Sequence, residues 1–304
     1  MKKAIIKSIL IFCAVLLITI QLISFHITVY RNSNMPELSR STQNTILKLK
    51  QLHPNNNTAV RIMTYNLLSD GPGFEGSPAH TRAKGVCSLL NSLAPDVVGI
   101  QEMSSNWYYY LKANTQYSFV SPVKTSITNS MTAIIYNPQR LILKSYGEKA
   151  LTKGSFLRLR KYIWATFEAT NTKSTFTVVN THFSLNKNDS YIPLQQAFDL
   201  IDFSKDFSHQ HPVFFIGDFN SAPISDSDNN SAGAYETLLT HFTDIKDIAA
   251  SLSEGTEKSA KASFVDHIFL KGEAKVINFI ILSNKELAFF SDHYPILADV
   301  IIKC

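Results

Sequence analysis

The stretch VFFIGDFNSAP, Val213 to Pro223, carries the decisive pattern of the chain. Four apolar residues, Val213–Ile216, stop abruptly at Gly217, Asp218 and Asn220. A short, unbroken apolar run suits a strand covered on both faces, and the polar residues at its end have no place in such a core. The same punctuation recurs outward from this segment. A strand expected over Ala59–Tyr65 runs into Asn66, and one over Asp96–Gln101 runs into Glu102. Thr175–Asn180 is followed by His182, Phe264–Leu270 carries Asp266 near its start, and Ile296–Ile301 is preceded by Asp292 and His293. Further strands are expected at Met131–Tyr136, Leu141–Tyr146, Tyr162–Ala169 and Lys275–Ile281.

Helices are expected at Thr81–Leu93, Ser104–Lys112, Pro193–Asp206 and Ala234–Thr240; the first repeats Val86, Leu89, Leu90 and Leu93 at helical spacing. Many strands with a few helices outside them predict an α+β fold: a four-layer α/β/β/α sandwich of two packed mixed sheets flanked by helices. If the two sheets end together, the polar strand ends share one rim. Carboxylates, imidazoles and carboxamides gathered there repel or stay desolvated unless something cationic joins them. Oxygen-rich ligation suits Mg²⁺, with Mn²⁺ as the alternative, better than a zinc cage. Asp70, Asp226 and Asp228 read as turn or cap residues, and His209, His211 and His241 as surface or packing residues. The aromatic run Trp107–Tyr110 reads as core packing on a helix.

Six segments in order, TYN (to Asn66), PDVVGIQE (to Glu102), NTH (to His182), GDFNSAP (from Gly217), VDHIF (with Asp266) and SDH (to His293), make the chain resemble the endonuclease/exonuclease/phosphatase, or DNase I-like, superfamily. The resemblance covers residues 58–304 and implies the following roles. Glu102 is the principal metal ligand, assisted by Asn66 and Asp292. Asp218 and Asn220 position or deprotonate the attacking water. His293, oriented by Asp266, hydrogen-bonds the phosphoryl group or moves a proton. His182 stabilises the phosphorane-like state or protonates the leaving oxygen, and Arg160, with Arg158 and Lys161 as neighbouring alternatives, clamps the phosphate, where Asn66 also reaches.

The formal charge of +5 does not identify a nucleic-acid binder, because it is concentrated at one end. Residues 1–57 hold seven of the 29 basic residues and one of the 24 acidic ones, so residues 58–304 carry 22 basic and 23 acidic side chains, a net of −1. Tight, sequence-blind polyanion binding needs a basic face, which bulk charge does not supply here. Residues 8–29, SILIFCAVLLITIQLISFHITV, are long and apolar enough to span a bilayer. Lys2, Lys3 and Lys7 in front of them predict a cytosolic N-terminus with the remainder exported, on the periplasmic or extracellular side; secretion after cleavage is the second choice. The expected organisation is therefore a signal-anchor over 1–30, a tether over 31–57 with a short helix near Ser41–Leu52, and a catalytic domain over 58–304. Three cysteines build no disulfide framework; they read as idle thiols, with a Cys87–Cys304 bridge conceivable outside the cytosol.

These readings predict a divalent-metal-dependent phosphoester hydrolase, a phosphodiesterase acting on nucleic acid or phospholipid head groups. The alternatives are a non-catalytic binding module on the same scaffold and a phosphomonoesterase of small phosphorylated ligands. No protein partner is implied.

Overall fold

A computed structural model describes residues 11–16, 19, 38–52, 58–70, 78–121, 131–152, 160–185, 191–207, 211–223, 233–249, 251–254, 265–283 and 286–303. Five α-helices are described beyond residue 38: α1 (Arg40–Leu52), α2 (Ala79–Leu93), α3 (Ser105–Asn114), α4 (Tyr191–Ser204) and α5 (Ala234–Leu239). The strands are β1 (Ala59–Asn66), β2 (Val97–Met103), β3 (Ser118–Phe119), β4 (Met131–Tyr136), β5 (Leu141–Ala150), β6 (Lys161–Ala169), β7 (Thr175–His182), β8 (Val213–Asp218), β9 (Thr243–Asp244), β10 (Ser251–Glu254), β11 (Asp266–Lys271), β12 (Lys275–Ile281) and β13 (Ile296–Ile301).

The strands form two mixed sheets, one ordered β10-β12-β13-β1-β2-β4-β3 and the other β5-β6-β7-β8-β11-β9. Three apolar layers account for the packing. Ile62, Val97, Phe167, Ile216 and Ala298 lie among the buried residues that pack one sheet on the other. Val86, Leu90, Trp107 and Leu111 bury α2 and α3 on the outside of the first sheet. Phe215, Leu200, Ala197 and Leu238 join α4 and α5 to the outside of the second. Central strands are therefore apolar on both faces, which is why their sequences show continuous runs and not alternation. The expected two-sheet sandwich flanked by helices is the observed architecture.

The differences fall at strand ends and sheet edges. β5 continues to Ala150, beyond the expected Tyr146, through a largely exposed SYGEKA segment paired with β6. Its apolar signal fades because an edge strand needs backbone pairing, not two covered faces. β7 and β8 reach further than expected as well, to His182 and Asp218, because the parallel ladder between them runs through the pair His182↔Asp218. Those two residues are therefore the last rungs of strands and not the loops after them. The short edge strands β3, β9 and β10 carried no readable apolar pattern.

Residues 38–52, expected within a tether, are packed on the domain. Leu38, Ile46 and Leu49 join the layer under α2, and the Arg61 guanidinium donates to the Leu49 carbonyl at 3.2 Å. Glu286 accepts hydrogen bonds from the Ser39 amide and hydroxyl, both at 2.7 Å, and from the Thr42 hydroxyl. The expected span over 8–29 lies mostly outside the described residues; 11–16 and 19 are helical, and no described helix is long and apolar enough to cross a membrane. Cys87 is buried, with Sγ donating to the Tyr110 carbonyl at 3.8 Å; the other half of the expected bridge, Cys304, lies outside the described residues.

Candidate active site

Strand register assembles the site. In the second sheet, Asp218 at the end of β8 pairs with His182 of β7 on one side and Asp266 of β11 on the other, so three functional side chains share one rung. Neighbouring strands are about 4.8 Å apart, which brings such groups into mutual contact. Gly217, just before, has φ +140°, and a Cβ there would lie 2.1 Å from the Thr181 carbonyl oxygen. Only glycine lets β8 approach β7 this closely at the end of the ladder.

In the first sheet, Asn66 ends β1 beside Gln101 of β2, and Glu102 follows. The β2–β4 register slips between Ile100 and Met103, and Glu102 has φ 55°. A bulge of this kind re-aims one side chain, and here it turns a carboxylate out of an otherwise buried strand. Asn220 (φ 45°) and Leu68 (φ 54°) are also left-handed. Three such non-glycine residues around one rim are the backbone strain expected at functional sites.

The two rims are joined directly by hydrogen bonds. Asn66 Nδ2 donates to Asp218 Oδ2 at 3.0 Å, and deeper in the interface Gln101 Nε2 donates to Asn180 Oδ1 at 2.6 Å. Asn180, of the NTH segment, also donates to the carbonyls of Ile100 and Ala133 at 2.9 and 2.7 Å, so it fastens the sheets and takes no part at the rim. Asp218 is buried and central. Its Oδ1 accepts from the Asn220 amide at 2.9 Å, and its Oδ2 lies 3.2 Å from His182 Nε2 and 3.8 Å from His293 Nε2. His293 Nδ1 lies 2.6 Å from Asp266 Oδ2. Asn220 turns its amide group away to the Phe183 carbonyl, at 2.9 Å.

Burial pushes the Asp218 carboxyl up to about 6, against the pull of His293 and with Asp266 adding to it. Burial also works against charge on His293, but the Asp266 and Asp218 carboxylates outweigh it and hold the imidazole well above its ordinary range. The site thus contains a carboxylate reluctant to ionise beside an imidazole reluctant to lose its proton.

Ser291, buried behind the rim, donates from Oγ to the Asn66 carbonyl at 2.7 Å and accepts from the His293 amide at 3.1 Å. This places Asp292, which is exposed, beside Asn66. Glu102 Oε2 accepts from the Ser69 amide at 2.9 Å. Glu102 and Asp292 both act electrostatically on the buried Arg82, which lies beneath them and donates to the carbonyls of Leu67, Leu68 and Phe290. The residues expected from sequence, Asn66, Glu102, His182, Asp218, Asn220, Asp266, Asp292 and His293, therefore gather at one end of the sandwich. Arg160 reaches the same end, but its described contact is a side chain: Nη1 lies 2.7 Å from His182 Nδ1.

Oxygen donors suited to a hard cation are present in two groups. Ligand atoms of Asp218, Asp266 and His293 lie within 4.8 Å of one another, and Asp266 Oδ1 is buried with no hydrogen-bond partner among the described residues. Both oxygens of Asp218, and Oδ2 of Asp266, already face protein donors. Among the described residues, Glu102 Oε1 accepts no hydrogen bond and Asp292 accepts only a long one, 3.4 Å from Ser291 Oγ. Asn66 Oδ1 accepts from the Leu68 amide at 3.0 Å and keeps its second lone pair. Glu102, Asn66 and Asp292 thus keep uncommitted oxygen lone pairs of the kind a hard divalent cation takes.

Sequence reasoning missed the support beneath the rim. His267, beside Asp266 in VDHIF, is buried with Nε2 3.0 Å from the Ser221 carbonyl and Nδ1 3.1 Å from Asp244 Oδ2. Tyr235 donates to the same Asp244 oxygen at 3.1 Å, and its amide donates to Ser221 Oγ. The network pins the backbone that follows Asn220. Period-two alternation from Asp266 placed His267 on the opposite face, which is the only signal the sequence offered.

Comparison with known proteins agrees with this geometry. The sequence profile of the Endonuclease/Exonuclease/phosphatase family matches residues 63–293. The chain belongs to that family. Over 110 residues it is 29% identical to human tyrosyl-DNA phosphodiesterase 2, a match that takes in 36% of this chain and 28% of that protein's length. An endonuclease/exonuclease/phosphatase from Bacteroides vulgatus superposes with a TM-score of 0.69 at 25% identity, covering 81% of this chain and 100% of that one. A mannosyl-6-phosphatase from Bacteroides thetaiotaomicron superposes with a TM-score of 0.67 at 18% identity, covering 80% and 99% of the two chains, and shares the fold. Family and neighbours together support a phosphoesterase hydrolase.

Proposed function

We propose that the chain is a metal-dependent phosphodiesterase that cleaves its substrate by in-line attack of water. One observation carries this reading: Asp218, buried at the centre of the rim, lies within 4 Å of Asn66, His182 and His293, which come from elements far apart in sequence. Glu102, Asn66 and Asp292 would hold a divalent cation such as Mg²⁺ or Mn²⁺, which would supply Lewis-acid polarisation of the phosphoryl oxygens. Asp218, with a proton affinity raised toward neutrality, accepts a proton from the attacking water, whose oxygen forms the new bond to phosphorus while the ester oxygen departs. Asn220 fixes the orientation of Asp218 through its amide. His293, kept protonated by Asp266, donates to the phosphoryl group as negative charge builds there.

Similarity to a phosphodiesterase favours a diester over a monoester. Nucleic acid and phospholipid head groups are the two substrate classes, and the nearly neutral charge of residues 58–304 favours the smaller or lipid diester. The apolar run at residues 8–29 with its preceding lysines supports a membrane-anchored enzyme acting outside the cytosol.

The deciding experiment compares hydrolysis of bis-p-nitrophenyl phosphate and p-nitrophenyl phosphate with Mg²⁺, Mn²⁺ or EDTA. Metal-dependent turnover of the diester is expected, with Glu102→Gln needing a much higher metal concentration. Preference for the monoester would replace the phosphodiesterase by a phosphomonoesterase. No turnover with either metal would leave a binding module.

A further inference from the structure

We propose that Arg160 is a positioning residue that holds His182 as its neutral Nε2–H tautomer, so that His182 serves as a fixed hydrogen-bond donor and not as the acid for the leaving oxygen. The catalytic consequence rests on the phosphodiesterase reading; the tautomer itself does not.

A guanidinium has five N–H donors, no acceptor, and does not deprotonate in proteins. With Arg160 Nη1 2.7 Å from Nδ1 of His182, that ring nitrogen must offer its lone pair. The ring hydrogen is then on Nε2, which faces Asp218 Oδ2 at 3.2 Å, an acceptor. Donor on one side and acceptor on the other fit a single state of the ring. An imidazolium would set N–H against N–H at Arg160, and the other neutral tautomer would be wrong at both nitrogens.

His293 is wired the opposite way. Its Nδ1 faces a carboxylate, Asp266 Oδ2 at 2.6 Å, and its Nε2 approaches the same Asp218 oxygen at 3.8 Å. Two imidazoles therefore flank one carboxylate, one backed by a cation and the other by an anion. The pair divides labour by what stands behind each ring: His293 can carry the extra proton, whereas His182 donates from Nε2 without holding a second one. Arg160 reaches this position because it directly precedes β6, whose Tyr162 pairs with Thr181, next to His182. It is further fixed by the hydrogen bond from the Leu151 amide to its carbonyl, at 2.9 Å.

Long-range ¹H–¹⁵N spectra of the full-length protein with ¹⁵N-labelled histidine distinguish the two neutral tautomers and the imidazolium, and His182→Gln identifies the relevant signal. At neutral pH the wild-type ring should show the Nε2–H pattern. Arg160→Met should lose it, and kcat should fall by about 10²-fold with KM changing less than about threefold. An Nδ1–H or imidazolium pattern in the wild type overturns the proposal, and that measurement stands even if the variant does not fold. An unchanged ring pattern in Arg160→Met overturns it too, as does a raised KM with intact kcat, which marks a phosphate clamp. An inactive wild type with the Nε2–H pattern would remove the phosphodiesterase reading and still support the tautomer.

Discussion

Replacing Asp218 by asparagine should make the metal-free protein more stable while abolishing activity. Asp218 is 1% exposed, and burial raises its carboxyl from 3.8 to about 6. At about 1.4 kcal/mol for each pH unit, keeping it ionised in the fold at neutral pH costs about 3 kcal/mol. Asparagine is isosteric and carries no charge, so that cost vanishes. Part of the gain is offset, because the new amide nitrogen faces donors: Asn66 Nδ2 and the Asn220 amide both require an acceptor here. Losing one such bond costs about 1 kcal/mol, leaving a net gain of about 1–2 kcal/mol, or a Tm rise of about 3–6 °C for a domain of this size. Alanine is the wrong probe: it strands Asn66, Asn220 and His182 together, so lost activity would be mixed with lost stability.

The pH dependence makes the test specific. A group whose pKa is raised in the fold leaves stability intact below its unfolded value and reduces it as pH climbs through the folded one. The advantage of Asp218→Asn should therefore be full above pH about 7 and absent below about 4. Urea denaturation of both proteins in EDTA at pH 7.5 and pH 4 measures it. An asparagine variant no more stable than wild type at pH 7.5, or equally favoured at both pH values, would refute the argument that Asp218 is held there at an energetic cost.

Asp266→Asn removes the charge that sustains His293, so the alkaline limb of the pH–rate profile should move down toward the ordinary imidazole range, with kcat at pH 8 falling by about 10²-fold; an unmoved limb would separate the two residues functionally. Gly217→Ala places a methyl 2.1 Å from the Thr181 carbonyl at φ +140°, and urea denaturation should show a loss of at least about 3 kcal/mol, a loss under 1 kcal/mol contradicting the close approach of β7 and β8. Glu286→Ala deprives Ser39 and Thr42 of their acceptor, which should lower stability by about 1–2 kcal/mol and raise hydrogen exchange across residues 38–52; unchanged exchange would mean that the apolar contacts alone hold α1.

Much of the fold was legible because central strands are covered on both faces and therefore write themselves as apolar runs. Val213–Ile216 and Ala59–Tyr65 announce their strands, and the residues at which the runs stop, Asp218 and Asn66, meet across the two sheets at 3.0 Å. Edge segments were harder. SYGEKA in β5 is largely exposed, and SLSE in β10 lies at a sheet edge; backbone pairing of this kind asks for no apolar run. The docking of residues 38–52 was invisible for a related reason: Leu38, Ile46 and Leu49 make a narrow stripe in a polar segment, and only the surface of α2 shows what they cover.

Residue identity also locates a histidine without giving its charge, and this limit is physical. His182 and His293 are the same residue type, both at the rim and both beside Asp218. They are distinguished by the group on the far ring nitrogen: Arg160 for one and Asp266 for the other. Arg160 lies 22 residues from His182, and Asp266 lies 27 from His293, so neither pairing is local. A guanidinium behind one imidazole and a carboxylate behind the other produce opposite proton inventories on a shared carboxylate. The chemistry of the rim is accordingly a property of the fold: Arg160 reaches His182 within one sheet, through the pairing of β6 with β7, whereas Asp266 reaches His293 from the other sheet.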